Sequence, residues 1–400
     1  MQRMTVRDVD LAGTRVIARV DYNVPLDSEG RVTDDLRIRE TLPTVRYVLG
    51  HGASLVLMAH LGRPKGKIVP GLSLRPVANR LSELLKIPVA MAPDCVGPET
   101  AVLAAGLKPG GILLLENLRF HKEEESNDPD FARQLATFGD VYVNDAFGTA
   151  HRAHASTEGI THHLSTSVAG FLMERELAAF HALLSAPQRP FLAILGGAKV
   201  SDKIGVLQNL LRVADSVFVG GAMANTFLLA KGFRVGDSLV ETAAVDTARA
   251  VMEDASRMGK EVLLPVDVVV ATELSRGAVT RVVPGDGIPD GWKALDIGPL
   301  SIQAVRDSCA HAATIFWNGP MGVFETPPFD AGTMETARAL ASATSAGVVT
   351  VVGGGDSGAA LQKAGLAAAV THLSTGGGAS LELVEGRELP GVMALQAVQA

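Results

Sequence analysis

Cysteine is nearly absent: Cys95 and Cys309 are the only two in 400 residues, and they lie far apart. That is too few for a disulfide framework or a zinc knuckle, so a reducing cytoplasm is the expected setting. Aromatic residues make up just 4% of the chain, which leaves the core to Ala, Val and Leu. There is no basic excess either. The net charge is −7 and the pI about 5.8, which argues against a nucleic-acid partner and makes any cationic site local. The longest apolar runs, such as Ile112–Leu115 and Val348–Val352, are far shorter than a membrane span. A charged-then-apolar leader is missing as well, so the expectation is a soluble intracellular protein with no membrane partner. No low-complexity tract or short tandem repeat stands out.

What remains is plentiful glycine, 42 residues, and short apolar, β-branched runs alternating with amphipathic stretches. The first half offers candidate strands at Arg15–Val20, Ser54–Ala59, Pro88–Met91, Ile112–Leu115 and Val141–Asn144. The second offers Phe191–Leu195, Ser216–Val219, Glu261–Leu264, Thr314–Trp317, Val348–Val352 and Val370–Leu373. Continuous apolar runs without period-2 alternation fit strands covered on both faces, as in parallel sheets. The pattern predicts an α/β protein of two doubly wound, Rossmann-like parallel-sheet domains joined by a helical hinge. The first domain spans residues 1–170. Phe171–Ser185 reads as a helix stopped by Pro187 and Pro190, making residues 171–187 the connector. The second domain covers 188–388, and Pro390-Gly391 opens a tail over 389–400.

Ligands of open α/β sheets sit beyond the carboxyl ends of strands, and the polar motifs fall there. Asp21 and Asn23 close the first strand, either as an Asx turn or as partners for a substrate hydroxyl. Arg37 lies at a helix start, where a cation opposes the dipole. It points to a nearby anion, or to an ion pair with Asp34 or Glu40. His60, Arg63, Arg119 and Arg152 follow further strands of the same sheet. Guanidinium forks suit a small, highly charged anion. His151, His154, His162 and His163 lack an acidic third ligand at zinc-protease spacing, which disfavours a metal there.

In the second half, Gly196–Lys203 runs from a strand into a helix, with Ser201 as the expected N-cap and Lys203 in the first turn. Lys199 and Lys203 at the positive end of a helix point to an anionic ligand, or else to a surface pair with Asp202. Gly220-Gly221 repeats the plan, either admitting a flat base or permitting close packing. Asn318 and Glu325 could bond a nucleotide's sugar or staple their loop. Gly353–Gly358 satisfies G-x-G-x-x-G, but no acid ends the next strand, at His372-Leu373. That weakens the alternative of an NAD-dependent two-domain dehydrogenase. Asp356 is better used through Mg²⁺ on nucleotide phosphates.

Seven segments in order resemble the phosphoglycerate kinase family: Arg19–Pro25, His60–Pro64, Glu116–Phe120, Asn144–His154, Gly196–Lys203, Trp317–Glu325 and Gly353–Ser357. The resemblance spans nearly the whole chain. It implies a monomeric, two-lobed enzyme moving phosphate between 1,3-bisphosphoglycerate and MgADP, with 3-phosphoglycerate and MgATP as products. It also implies that Asp21, Asn23, Arg37, His60, Arg63, Arg119 and Arg152 hold phosphoglycerate. Lys199, Lys203, Gly221, Asn318, Glu325, Gly354, Gly355, Asp356 and Ser357 would serve the nucleotide, with Asp356 nearest Mg²⁺. Arg37, Lys203 and Lys199 would be catalytic, and the tail would return to the first domain. Ser357 stands where the family usually has threonine, Ala59 where serine is common and Tyr22 where phenylalanine is common. None of these departures removes a charge.

Overall fold

The computed structural model describes residues 2–398 and divides into two compact units. One runs from the N-terminal region to Ala178 and takes in the residues from Glu388 onward; the other is Ala179–Arg387. The division falls inside the helix Phe171–Ser185, whose bounds match the sequence expectation.

The first unit is built on β1 (Arg15–Val20), β2 (Ser54–Met58), β3 (Val89–Met91), β4 (Ile112–Leu114), β5 (Val141–Asp145) and β6 (Ser167–Ala169). These form one parallel sheet in the order β3-β4-β2-β1-β5-β6. Every residue of β2, β4 and β5 is buried, so both faces are covered and the sequence reads as unbroken apolar runs. The helix Leu36–Gly50 buries Ile38, Leu42, Val45 and Val48, one face at helical spacing. Strand succession reverses between β1 and β5, and the crevice outside their carboxyl ends is the position for a ligand. The last residues re-enter this unit: Asn144 Nδ2 donates to Gly391 O, Gly391 N to Ala150 O, and Gln396 N to Ser167 O. Residues 399 and 400, the end of the expected tail, lie outside the described residues.

The second unit contributes β7 (Phe191–Leu195), β8 (Ser216–Val219), β9 (Arg234–Val235), β10 (Glu261–Leu263), β11 (Asp267–Ala271) and β12 (Arg281–Pro284). It continues with β13 (Gly287–Ile288), β14 (Lys293–Ile297), β15 (Thr314–Asn318), β16 (Val349–Gly353) and β17 (His372–Leu373). Its parallel sheet has the order β10-β8-β7-β15-β16-β17, with the switch between β7 and β15. The expected strands need correction, beginning with β6 of the first unit, which was not among them. An antiparallel sheet, β12-β11-β14, and the small β9-β13 pair stand beside the parallel sheet, and the sequence reading had none of them. The last strand also starts two residues late, because Ala369 N–H is held by Leu366 O in a turn. No helix among the described residues is long and apolar enough to cross a membrane.

Candidate active site

In the first unit Asp21 sits one residue past β1. Asn23 N–H donates to its Oδ1 at 3.2 Å, the Asx turn, and its Oδ2 pairs with Arg37 Nη1. Arg37 is the second residue of its helix, and the N-cap, Asp35, makes no side-chain cap bond. The ion pair the sequence offered with Asp34 or Glu40 does not form. Asp34 caps Leu36 N–H at 2.9 Å, and Glu40 pairs with Arg175. Asn23 Oδ1 accepts Gly62 N–H at 2.8 Å, and Arg119 Nη1 donates to Gly62 O at 3.0 Å. Buried Asn117 fixes both loops, donating to Leu61 O and Leu72 O and accepting from Arg119 N–H. Asp21, Asn23, Arg37 and Arg119 are thus bound to one another directly or through Gly62. Arg63 is exposed without a protein partner among the described residues, and Arg152 is exposed with its Nε on His151 Nε2 at 3.1 Å.

Cations gathered in excess of their counter-anions, Asp21 on Arg37 and Glu125 at 3.5 Å from Arg119 Nε, leave an electrostatic signature. Burial, then the charges of Arg19, Arg119, Arg37 and His154, hold His60 well below the ordinary histidine range. Burial and the Arg19 and Arg119 charges push His154 down to about 3. Burial, with Arg19 next, also lowers Arg119. Each of these groups gains from an anion placed among them. Beneath them lies a layer that sequence reasoning passed over. Arg19 is fully buried, its Nε donating to Ser156 Oγ at 2.8 Å, and Ser156 Oγ donates in turn to buried Glu124 at 2.6 Å. The available signal was an arginine inside an otherwise apolar strand.

The second unit gathers its groups at the ends of β7, β8, β15 and β16. Gly196 N–H bonds Asn318 O at 2.9 Å, Gly221 N–H bonds Met321 O at 3.1 Å, and Met223 N–H bonds Gly197 O at 2.9 Å. Backbone meets backbone so closely that a Cβ on Gly221 would lie 2.7 Å from Gly197 N, at a φ of +65°. Lys203 Nζ donates to Asn318 Oδ1, and Asn318 Nδ2 donates to Gly353 O at 2.8 Å. Asn318 is therefore a buried brace between Lys203 and the Gly353–Ser357 turn. Burial lowers the Lys203 ammonium to about 8, with the Asp356 and Asp202 charges acting the other way.

The helix Gly355–Lys363 begins without a side-chain cap, after Gly354 at a φ of +91°. Its first-turn N–H groups and dipole are open to an anion. Ser357 is buried and its hydroxyl accepts Gly319 N–H at 2.6 Å, so that side chain ties two loops together. Lys199, Glu325 and Asp356 are exposed. Ser201 is not an N-cap: the helix starts at Ile204, after Lys203, and Ser201 is held by Glu241 through N–H and hydroxyl.

The histidines weighed for a metal do not converge. Among the described residues the group that does is Asp94, Cys95 and His121. There His121 Nε2 and Asp94 Oδ1 already share a hydrogen bond at 2.7 Å, and burial pushes the Cys95 thiol well up.

Guanidinium and imidazole at the strand ends of one α/β unit, with ammonium and an uncapped helix at those of the other, are the equipment of a protein that handles two different anions, and the comparisons place it among the kinases. A family model described as phosphoglycerate kinase matches residues 6–387. A phosphoglycerate kinase of Pelodictyon phaeoclathratiforme is 55% identical over 395 residues, covering 99% of this chain and 100% of that protein. One from Chloroflexus aggregans is 57% identical over 398 residues, covering 99% of each. The solved phosphoglycerate kinase of Coxiella burnetii superposes with a TM-score of 0.89 at 39% identity, covering 98% of both chains. That of Pyrococcus horikoshii gives 0.84 at 34% identity, covering 99% of this chain and 98% of that one. The chain belongs to the phosphoglycerate kinase family. The dehydrogenase alternative finds no support.

Proposed function

We propose that the enzyme transfers a phosphoryl group reversibly between 1,3-bisphosphoglycerate and MgADP, giving 3-phosphoglycerate and MgATP. The phosphoglycerate belongs to the first unit, on Asp21, Asn23, Arg37, His60, Arg63, Arg119 and Arg152. The nucleotide belongs to the second, on Lys203, Lys199, Gly221 and the Gly354–Ser357 turn, with Asn318 bracing Lys203 and Glu325 open to the sugar. One observation carries the reading: each unit has its own anion-binding equipment at its own topological switch, and the two sets differ in chemistry.

In the ATP-consuming direction a carboxylate oxygen of 3-phosphoglycerate forms a bond to the γ-phosphorus, and the bond to the β-bridging oxygen breaks, releasing ADP. The nucleophile is already ionised near neutral pH, so no general base is required. Catalysis is alignment and charge stabilisation, with Arg37 and Lys203 assigned to the oxygens of the moving phosphoryl group. Asp356 suits magnesium. It is an exposed carboxylate in the first turn of an uncapped helix, with no hydrogen bond or ion pair among the described residues, its charge acting on Lys203. Magnesium favours one or two carboxylates plus phosphate oxygens, and when bound it neutralises phosphate charge.

Reactants held on separate units must be brought together, and we assign the helix Phe171–Ser185 as the hinge of a monomeric enzyme. The two cysteines, both free, support a reducing, cytoplasmic setting. Small-angle scattering should show compaction only with both substrates present; an unchanged profile would remove the hinge. The reaction itself is tested by an NADH-linked assay with 3-phosphoglycerate and MgATP. Turnover should require both substrates and stop on magnesium chelation. NADH consumption without 3-phosphoglycerate, or none with it, would refute the proposal.

A further inference from the structure

Arg19 lies beneath the proposed phosphoglycerate site, not in it. It is fully buried in β1, paired in register with Met58 of β2 and Asn144 of β5. Each nitrogen of its guanidinium has a partner: Nε donates to Ser156 Oγ at 2.8 Å, Nη1 to its neighbour Val20 O, and Nη2 to His60 Nδ1 at 2.9 Å. Behind Ser156 stands Glu124, also buried, taking Ser156 N–H at 3.0 Å and Ser156 Oγ at 2.6 Å. The chain of contacts is therefore Glu124–Ser156–Arg19–His60, a carboxylate linked through one hydroxyl to a cation that ends on an imidazole.

The last contact fixes a proton. Guanidinium has five N–H donors and no acceptor, so Nδ1 of His60 can only be accepting. A neutral imidazole that accepts at one nitrogen carries its hydrogen on the other. We propose that Arg19 is a positioning residue that locks His60 in its Nε2–H tautomer, presenting an N–H donor to the phosphoglycerate anion. Among the described residues Nε2 makes no hydrogen bond. The alternative tautomer would turn a lone pair toward the substrate's oxygens and repel them. Double protonation would set an N–H at Nδ1 against the Arg19 N–H. The other charged or titratable groups acting on the ring, Arg37, Arg119 and His154, oppose its protonation too, as does burial. His60 is thus a neutral donor among cations, adding direction to a pocket whose charge comes from arginine.

The inference rests on the reading that His60 meets phosphoglycerate, and the test separates the two. In the unaltered enzyme labelled with ¹⁵N-histidine, long-range ¹H–¹⁵N correlation should show His60 as a single Nε2–H tautomer, unchanged from about pH 5 to 8. An Nδ1–H ring, a mixture, or a ring that titrates there overturns the lock, with no variant needed. Arg19→Met should release the tautomer. It should also raise KM for 3-phosphoglycerate about tenfold, the scale of losing one hydrogen bond to a charged group, while KM for MgATP stays put. Arg19→Lys, which keeps a donor, should restore part of both. A released tautomer with unmoved KM overturns the positioning role. If His60→Ala leaves KM for 3-phosphoglycerate unchanged, the placement of the substrate on His60 is what has failed.

Discussion

The ammonium of Lys203 is held on Asn318 in a half-buried position, and burial lowers it to about 8 despite the Asp356 and Asp202 charges. Below that pH the free enzyme offers a cation to a phosphate; above it the group is a neutral amine and the attraction is lost. A nucleotide phosphate bound beside it, as proposed, would favour the charged form, so binding and protonation would be coupled. The expected outcome is a kcat/KM for MgATP that falls above pH about 8, since this parameter reports free-enzyme ionisation. Lys203→Arg, charged throughout, should lose that alkaline limb even if slower overall. A wild-type profile flat to about pH 10 would show that Lys203 is not the titrating group. The same residue shows what was legible at this scale. His60 and Arg119 could be read because cations recur after several apolar strands of one sheet, and Lys203 and the glycine turns because they stand where a strand gives way to a helix start. Arg19, Glu124 and Ser156 could not, because their partners lie far along the chain. Arg19 and Ser156 are 137 residues apart, and Ser156 and Glu124 are 32 apart. Asn318 was seen, with two roles left open; only its contacts with Lys203 and Gly353 favour the brace.

Helix starts in both units are held by buried carboxyl groups at the ends of strands. Asp145, closing β5, accepts Leu172 N–H at 2.9 Å and Met173 N–H at 3.1 Å at the head of Phe171–Ser185. Asp296 in β14 accepts Gly332 N–H at 2.8 Å at the head of Ala331–Ser345. Burial raises both to about 7, and the helix amides only partly offset it. Between about pH 4 and 7 the folded chain therefore keeps protons that the unfolded chain has released. Their stabilising contribution is full below the unfolded value and is lost as pH rises through about 7. Asp145→Asn, neutral at every pH and still an acceptor, should remove its share of this slope. It should be more stable than wild type at about pH 8, by on the order of 2–4 kcal/mol, and closer to it at about pH 5. Thermal melts across that range decide it; parallel curves for the two proteins would reject the argument. Elements themselves were readable where burial on both faces produced unbroken apolar runs, as in β1, β2, β7 and β15. β6 escaped notice because Ser167, Val168 and Ala169 make too short and too small a run. The antiparallel insert escaped for another reason. Pro265 splits a long apolar stretch into β10 and β11, and β12 is largely exposed, so neither period stands out.

At the scale of the molecule, the chain leaves the first unit inside one helix and comes back once, near Glu388. The second unit is therefore one continuous segment, whereas the first is completed only by the chain's end. The returning residues are packed, not merely laid on: Leu389, Val392 and Leu395 are buried. Gln396 N–H bonds Ser167 O, Gln396 O takes Met4 N–H, and Arg3 Nη1 donates to Leu395 O at 2.7 Å. Asn144, at the end of β5, holds Gly391, so the tail also buttresses the strand that leads to Arg152. Three buried aliphatic side chains at about 2 kcal/mol each, with several hydrogen bonds at about 1 kcal/mol, make the segment worth on the order of 5 kcal/mol or more to the first unit. A chain ending at Glu388 should melt markedly earlier than the full-length enzyme and bind 3-phosphoglycerate more weakly. Titration with MgATP should still report nucleotide binding, because the second unit loses nothing it contains. Equal loss of both ligands would mean that the damage is global. An unchanged melting temperature and KM for 3-phosphoglycerate would mean that the tail, for all its contacts, does not complete the unit.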